Sequence, residues 1–399
     1  MPSELIIRNS DRGAFKRCRL SWDWGSKIRQ NLIFKGPAPK PLDFGTSIHR
    51  GLEVYYNPAT WHFDFEIKCD LAILAFVRCQ EEQLKSYLKE MNEEALQDEL
   101  KADFRERDNL GRNMLMHYFS WARTNDAFTP IYTEVEFEVP ISGLEGTYAE
   151  GAVYQGRIDL IVLDELGRYW IVDHKTTARF DSTEHLELDE QCGSYAWALM
   201  EMLGIQVTGI VYNELRKSYP APPEELKRGG LSKNKTQDAP YEMYVEALEK
   251  KFGGIPPDYV EFVEYLKVRE NNFFRRTRVH RSVEEMRSLG EQIQLEALDM
   301  LDLNIRIYKN PTKFNCKNCM FRIPCIAKQD GSDIKYILSE LYKVRSSDAS
   351  QPNTNTSSTN ETEPRRIGDS EVIAVGAQRE LPDIRGIGSG KDSSSRIRF

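Results

Sequence analysis

The chain has 399 residues, of which 40% are hydrophobic and 29% charged, and its formal net charge is -8. That length accommodates one large domain or two ordinary ones with a substantial core, and no apolar run is long enough for a membrane helix. The net acidity excludes a surface that is basic throughout, although a local basic track can lie within an acidic shell.

Taken in chain order, residues 1–10 lack the apolar stretch behind a basic flank that marks an export signal, so an intracellular, cytoplasmic location is expected. The next segment is a basic track, with Arg8, Arg12, Lys16, Arg17, Arg19, Lys27, Arg29, Lys35 and Lys40 against only Asp11 and Asp23. Residues 44–56 predict a helix with Thr46 and Ser47 as polar starters, and residues 68–125, rich in Glu, Lys, Leu and Ala, predict more helix. Residues 131–140 alternate strictly, which predicts a strand with Glu134, Glu136 and Glu138 on one face and Val135, Phe137 and Val139 on the other. Residues 156–163 and 169–173 predict two further strands joined by the turn 164–167.

Helix is expected again over 186–203 and a strand over 207–213. Residues 216–240, with several Pro, Gly and Lys, read as a loop insertion, and helices are expected from 241 to 308. Within 267–281, Arg275, Arg276 and Arg278 stand beside Phe273 and Phe274, a mixture suited to following phosphates and stacking on bases. The competing reading is a solvated helix face with two core phenylalanines. From 345 to 399 the chain turns to Ser, Asn, Thr, Gln and Gly and is expected to be a disordered tail, with 372–375 as a short apolar docking segment. Helices, then a strand meander, then helix and strand indicate the α/β or α+β class.

The chemistry is concentrated in the second hairpin. Asp173 and Lys175 are two residues apart on one strand, so their side chains leave the same face roughly 7 Å apart. The hairpin brings Asp159 beside them. Two carboxylates and an ammonium on an apolar sheet are costly unless they serve one another or a cation. Hard carboxylate oxygens suit Mg²⁺ or Mn²⁺, and such an ion with a lysine beside it is suited to phosphodiester hydrolysis.

At Gly156-Arg157-Ile158-Asp159 and Asp173-His174-Lys175 the chain resembles the PD-(D/E)xK nuclease superfamily, and in particular its RecB-type branch. The resemblance implies a restriction-endonuclease-like mixed sheet flanked by helices. Gly45-Thr46-Ser47-Ile48-His49 is similar to that branch's Gly-x-x-x-His motif, which implies His49 as a metal ligand with Asp159 and Asp173. Gln191 and Tyr195 match its Gln-x-x-x-Tyr motif, which implies that they contact DNA, water or the lysine.

The cysteines are Cys18, Cys69, Cys79, Cys192, Cys316, Cys319 and Cys325, an odd number without an export signal, which argues against a disulfide framework. Cys316, Cys319 and Cys325 with the distant Cys18 make four thiolates, the complement of a [4Fe–4S] cluster or of a structural zinc site. Their spacing resembles the iron–sulfur members of the RecB-type branch, including CRISPR-associated adaptation nucleases and phage-encoded relatives, in which the cysteines staple the two ends of the core. Cys69, Cys79 and Cys192 are expected as buried apolar groups.

The resemblance therefore implies one nuclease domain over 1–337, with a helical insertion at 60–128 and a loop insertion at 216–240, followed by the tail. The expected activity is a metal-dependent DNA nuclease, an exonuclease on single strands or ends, serving recombination, repair or replication. A non-catalytic DNA-binding subunit and an RNA nuclease are the alternatives. No phosphate-loop motif is present, so a helicase or recombination protein would be a separate partner. For a phage-encoded chain, the location would be the host cytoplasm.

Overall fold

The computed structural model describes residues 5–35, 41–90, 94–345 and 396–398. The chain begins with β1 (Ile6–Arg8), α1 (Asn9–Arg17), α2 (Arg19–Gly25), β2 (Leu32–Phe34) and α3 (Pro41–Tyr55). Two long helices follow, α4 (Phe65–Glu90) and α5 (Glu94–Asn125), then β3 (Phe128–Pro140), β4 (Val153–Asp164) and β5 (Tyr169–Thr177). Next come α6 (Glu190–Leu203), β6 (Val207–Arg216), α7 (Tyr241–Phe252), α8 (Pro257–Val268), β7 (Phe274–His280) and α9 (Val283–Leu301). The chain continues through α10 (Lys313–Lys317), α11 (Arg322–Asp330), α12 (Ile334–Leu341), β8 (Tyr342–Val344) and β9 (Arg396–Arg398).

The main sheet runs β7-β6-β5-β4-β3-β9, with β1 also paired to β4. It is mixed: β5 and β6 are parallel, as are β1 and β4, and the other pairs are antiparallel. Helices cover both faces, so the central strands are apolar on both sides. Ile161 and Ile171 pack with α6 and α9, whereas Val162, Trp170 and Val172 pack with α3, α4 and α5. This is the α/β arrangement expected, a mixed sheet flanked by helices of restriction-endonuclease-like type.

Local chemistry sets the strand that carries the site. Asp164 Oδ1 accepts from the backbone N–H groups of Leu166 and Arg168, and Gly167 takes φ +74°, so the chain reverses tightly into β5. After β5, Asp189 caps α6 by accepting from the N–H groups of Gln191 and Cys192. Helix 186–203 was expected; its first turn is a separate short 3-10 segment, Glu184–Leu188, and α6 begins at Glu190.

One expected element is different. Residues 241–308 were read as helix throughout, but β7 crosses the middle and closes the sheet against β6. Beyond β6, residues 217–240 hold one isolated bridge, Glu225 with Leu231, yet Leu231 and Ala239 join α7 and α8 in a small core of their own. The stretch from the end of β6 to the start of β7 therefore packs largely on itself.

Of the segment expected as a tail, 396–398 pairs antiparallel with β3 as an edge strand, and 346–395, including the 372–375 run, lies outside the described residues. The two ends of the core meet elsewhere as well, because β2 pairs with β8.

Candidate active site

Alternation along β5 sends Asp173 and Lys175 towards α6 and His174 towards α3. Lys175 Nζ lies 3.1 Å and 3.0 Å from the two Asp173 oxygens, and 3.4 Å from Gln191 Oε1. Gln191 Nε2 in turn donates to Tyr195 Oη at 3.3 Å. The helical i to i+4 spacing thus aligns Gln191 and Tyr195 as a pair behind the lysine. Gly156 has a packing reason: a Cβ there would meet the Phe137 ring at 2.4 Å and the Tyr195 ring at 3.0 Å.

Asp159 joins the two sides. Its Oδ2 accepts from the His174 backbone N–H at 2.8 Å, and its Oδ1 lies 3.4 Å from His49 Nδ1. His174 is buried; Asn213 Nδ2 donates to its Nδ1 at 2.8 Å, and Tyr56 stacks on its ring. The amide donor makes Nδ1 an acceptor and so places the imidazole proton on Nε2.

The sequence did not single out Glu134 from its neighbours Glu136 and Glu138. Glu134 has φ +49°, a left-handed backbone within a strand. Among the described residues, one group of three potential metal ligands lies within 4.8 Å of one another: His49, Glu134 and Asp159. Asp173 falls outside that limit. It is buried nonetheless, and its Oδ2 receives no well-aligned hydrogen bond.

Electrostatics bind these groups into a unit. Burial opposes protonation of His49, but the adjacent Asp159 carboxylate prevails and lifts its pKa to about 9. Burial likewise disfavours ionised Asp159, yet His49 holds it well below the usual carboxylate range. Burial, with Asp159 nearby, raises Glu134 to about 7. Burial also pushes Asp173 up, despite Lys175, whereas Asp173 keeps Lys175 above its ordinary value in spite of burial.

The basic segment near 275 differs from expectation. Phe273 and Phe274 are 3% and 2% exposed and pack around His117, so neither offers a face to a base. Arg276 is turned inward, bonded to Asn213, Tyr56, Tyr118 and Asp126. Arg275 is forked onto Glu214 and lies over Phe180. Arg278 is exposed beside Trp170. Both phenylalanines are core groups, Phe274 opening β7 and Phe273 just before it, where a helix was expected.

Cys18, at the C-cap of α1, lines a cavity of about 690 Å³ together with Cys316, Cys319 and Cys325. All four are free thiols. Burial raises the Cys325 thiol; Lys309 opposes this, and the other three sulfurs add to it. Cys69 and Cys192 are buried as expected, whereas Cys79 is half-buried against the Ser47 hydroxyl.

A model of the PD-(D/E)XK nuclease superfamily matches residues 10–326, and the chain belongs to that superfamily. Its members are generally nucleases that use divalent metal ions. No curated protein matches the chain. Among solved structures it is similar to SSO0001, at 14% identity over 62% of this chain and 94% of that one, with a TM-score of 0.27, too loose a likeness to carry an argument. Among the described residues, no helix is long and apolar enough to cross a membrane.

Proposed function

We propose that the chain is a metal-dependent deoxyribonuclease, acting as an exonuclease on single strands or DNA ends. The observation that carries this reading is the ligand group His49, Glu134 and Asp159 beside the Asp173–Lys175 pair. The donor set fits a hard divalent cation of the Mg²⁺ or Mn²⁺ kind, and Oδ2 of buried Asp173, which Lys175 meets as an ion pair without a well-aligned hydrogen bond, gives a further acceptor. When bound, such an ion neutralises charge developing on the phosphate and acidifies water.

The residues do the rest. Lys175, paired with Asp173 at 3.0 Å, is placed to donate a hydrogen bond to the attacking water or the phosphate. Gln191 fixes the ammonium, and the Tyr195 hydroxyl fixes the Gln191 amide. Asp159 connects the ligand group to β5 through the His174 N–H.

The four cysteines form the second part of the proposal, a [4Fe–4S] cluster holding the N-terminal helices to the C-terminal segment. A tetrahedral zinc would need sulfurs about 3.8 Å apart. Cys18, Cys316, Cys319 and Cys325 line one cavity of about 690 Å³, and it is their spacing in sequence, one distant thiolate with a C-terminal trio, that favours the larger group.

The test uses the purified full chain with end-labelled single-stranded DNA, duplex DNA and RNA in Mg²⁺, Mn²⁺ or EDTA. Stepwise loss of nucleotides from DNA, abolished by EDTA, is expected. Preferential cutting of RNA would overturn the DNA assignment, and a folded protein inert on all three would overturn the nuclease reading.

A further inference from the structure

Away from the metal ligands, α1 presents a guanidinium to the interior. The Arg12 side chain is 1% exposed. Its Nε donates to Glu296 Oε2 at 2.5 Å, and its Nη2 donates to Glu296 Oε1 at 3.3 Å and to Glu190 Oε2 at 3.1 Å. Lys16, one helical turn on, binds the same two glutamates, and Gln292 donates to both as well. A buried ion cluster of this sort is a weak source of net stability, because desolvation offsets much of the attraction. What it does supply is geometry, since a planar guanidinium fixes its partners in direction as well as distance.

The geometry it fixes is the start of α6. Glu190 is the first residue of that helix, and Gln191 is the second. Arg281 holds the segment just before it, donating to the backbone carbonyls of Leu186, Glu187 and Asp189. Gln191 reaches Lys175 Nζ across 3.4 Å, at the outer limit of a hydrogen bond, so a slip of a few tenths of an ångström in α6 breaks the contact.

We propose that Arg12 is a positioning residue for the nuclease site, acting through Glu190 on Gln191 and so on the Lys175 ammonium. This rests on the reading of Lys175 and Gln191 given above. It also joins the two ends of the molecule, because α1 carries Arg12 and Lys16 and then ends at Cys18, on the wall of the cysteine cavity.

The test is a double-mutant cycle in the full chain, read as kcat and KM on a short end-labelled oligonucleotide, with melting temperature as a separate measurement. Arg12→Gln, Glu190→Ala and Gln191→Ala should each lower kcat on the order of 10- to 100-fold, as a small misplacement far from the chemistry does, with KM unchanged. Arg12→Lys should restore part of the loss. The decisive arm is Arg12→Gln combined with Gln191→Ala: it should be no slower than Gln191→Ala alone, because the relay is already cut. Glu190 is the gentler handle where Arg12→Gln fails to fold, since Arg12 keeps Glu296 when Glu190 is removed. A wild-type protein that cuts, with a Glu190→Ala variant that melts lower but keeps full kcat, overturns the inference and leaves the nuclease reading standing. So do losses that multiply independently in the double variant. A folded wild-type protein that cuts nothing brings down both.

Discussion

The backbone N–H of His174 donates to Asp159 Oδ2 across 2.8 Å, from the residue that separates Asp173 and Lys175. The bond locks β5 to β4 at the level of the proposed chemistry, so the acidic groups and the lysine move as one body. Asp159→Ala, Asp173→Ala and Lys175→Ala are each expected to reduce cleavage by about 10²- to 10³-fold or more. The losses should be far from additive in the triple variant, which single-turnover rates on labelled DNA will measure. Mn²⁺-dependent cleavage at the wild-type rate in Asp173→Ala would contradict the assignment.

Glu134 links function to strain. A non-glycine residue at φ +49° costs on the order of 1 kcal/mol, which glycine would relieve. Glu134→Gly should therefore hold or raise the melting temperature of the metal-free protein while weakening Mn²⁺ binding measured by calorimetry. Unchanged Mn²⁺ affinity would remove Glu134 from the ligand group.

The two histidines should act oppositely on stability in EDTA. Burial depresses His174 to about 3, below its unfolded value near 6.5, so its contribution is complete above pH 6.5 and is lost as pH falls towards 3. His49 is raised to about 9, so its contribution is present below pH 6.5 and is lost as pH rises through 9. Melting curves of wild type and His174→Gln across pH 4–7 provide the check: the variant should show the shallower acid slope.

Arg276 should behave as a core residue. Arg276→Ala leaves Asp126 buried without its cation, a change that typically costs about 3–5 kcal/mol. Urea denaturation should show that loss, whereas DNA affinity per folded molecule should stay the same. The opposite result would restore the expected DNA contact.

Cys18→Ala should abolish iron uptake and the accompanying brown absorbance under anaerobic purification. Far-ultraviolet circular dichroism should persist, because β2 and β8 join the chain ends without the sulfurs. One zinc and no iron in the wild type would replace the cluster by a zinc site.

Asp159, Asp173 and Lys175 were legible because a tight hairpin and two-residue alternation allow register to be counted from sequence. Glu134 was not, since the twelve-residue connection 141–152 hides its register and its inverted backbone breaks the alternation that grouped it with Glu136 and Glu138. The strand at β7 was hidden for a related reason. Arg276 occupies an interior position that the pattern would assign to an apolar residue, and its neutralising partners Asp126, Asn213, Tyr56 and Tyr118 come from distant parts of the chain. The grip of Arg12 on α6 was invisible too, because a basic residue in a basic segment reads as solvated until its two glutamates are seen.

The segment between β6 and β7 leaves and returns through one narrow neck. Arg216 N–H donates to Phe273 O at 2.8 Å, and Leu215 pairs directly with Phe274. Everything between has its own apolar centre, built from Leu231, Tyr244, Leu248, Phe262 and Leu266. Such a unit is a graft: its ends already meet, so exchanging 217–272 for a two-residue Asn-Gly turn leaves an ordinary hairpin. A lineage could therefore add, trade or discard this piece without renegotiating the sheet beneath it.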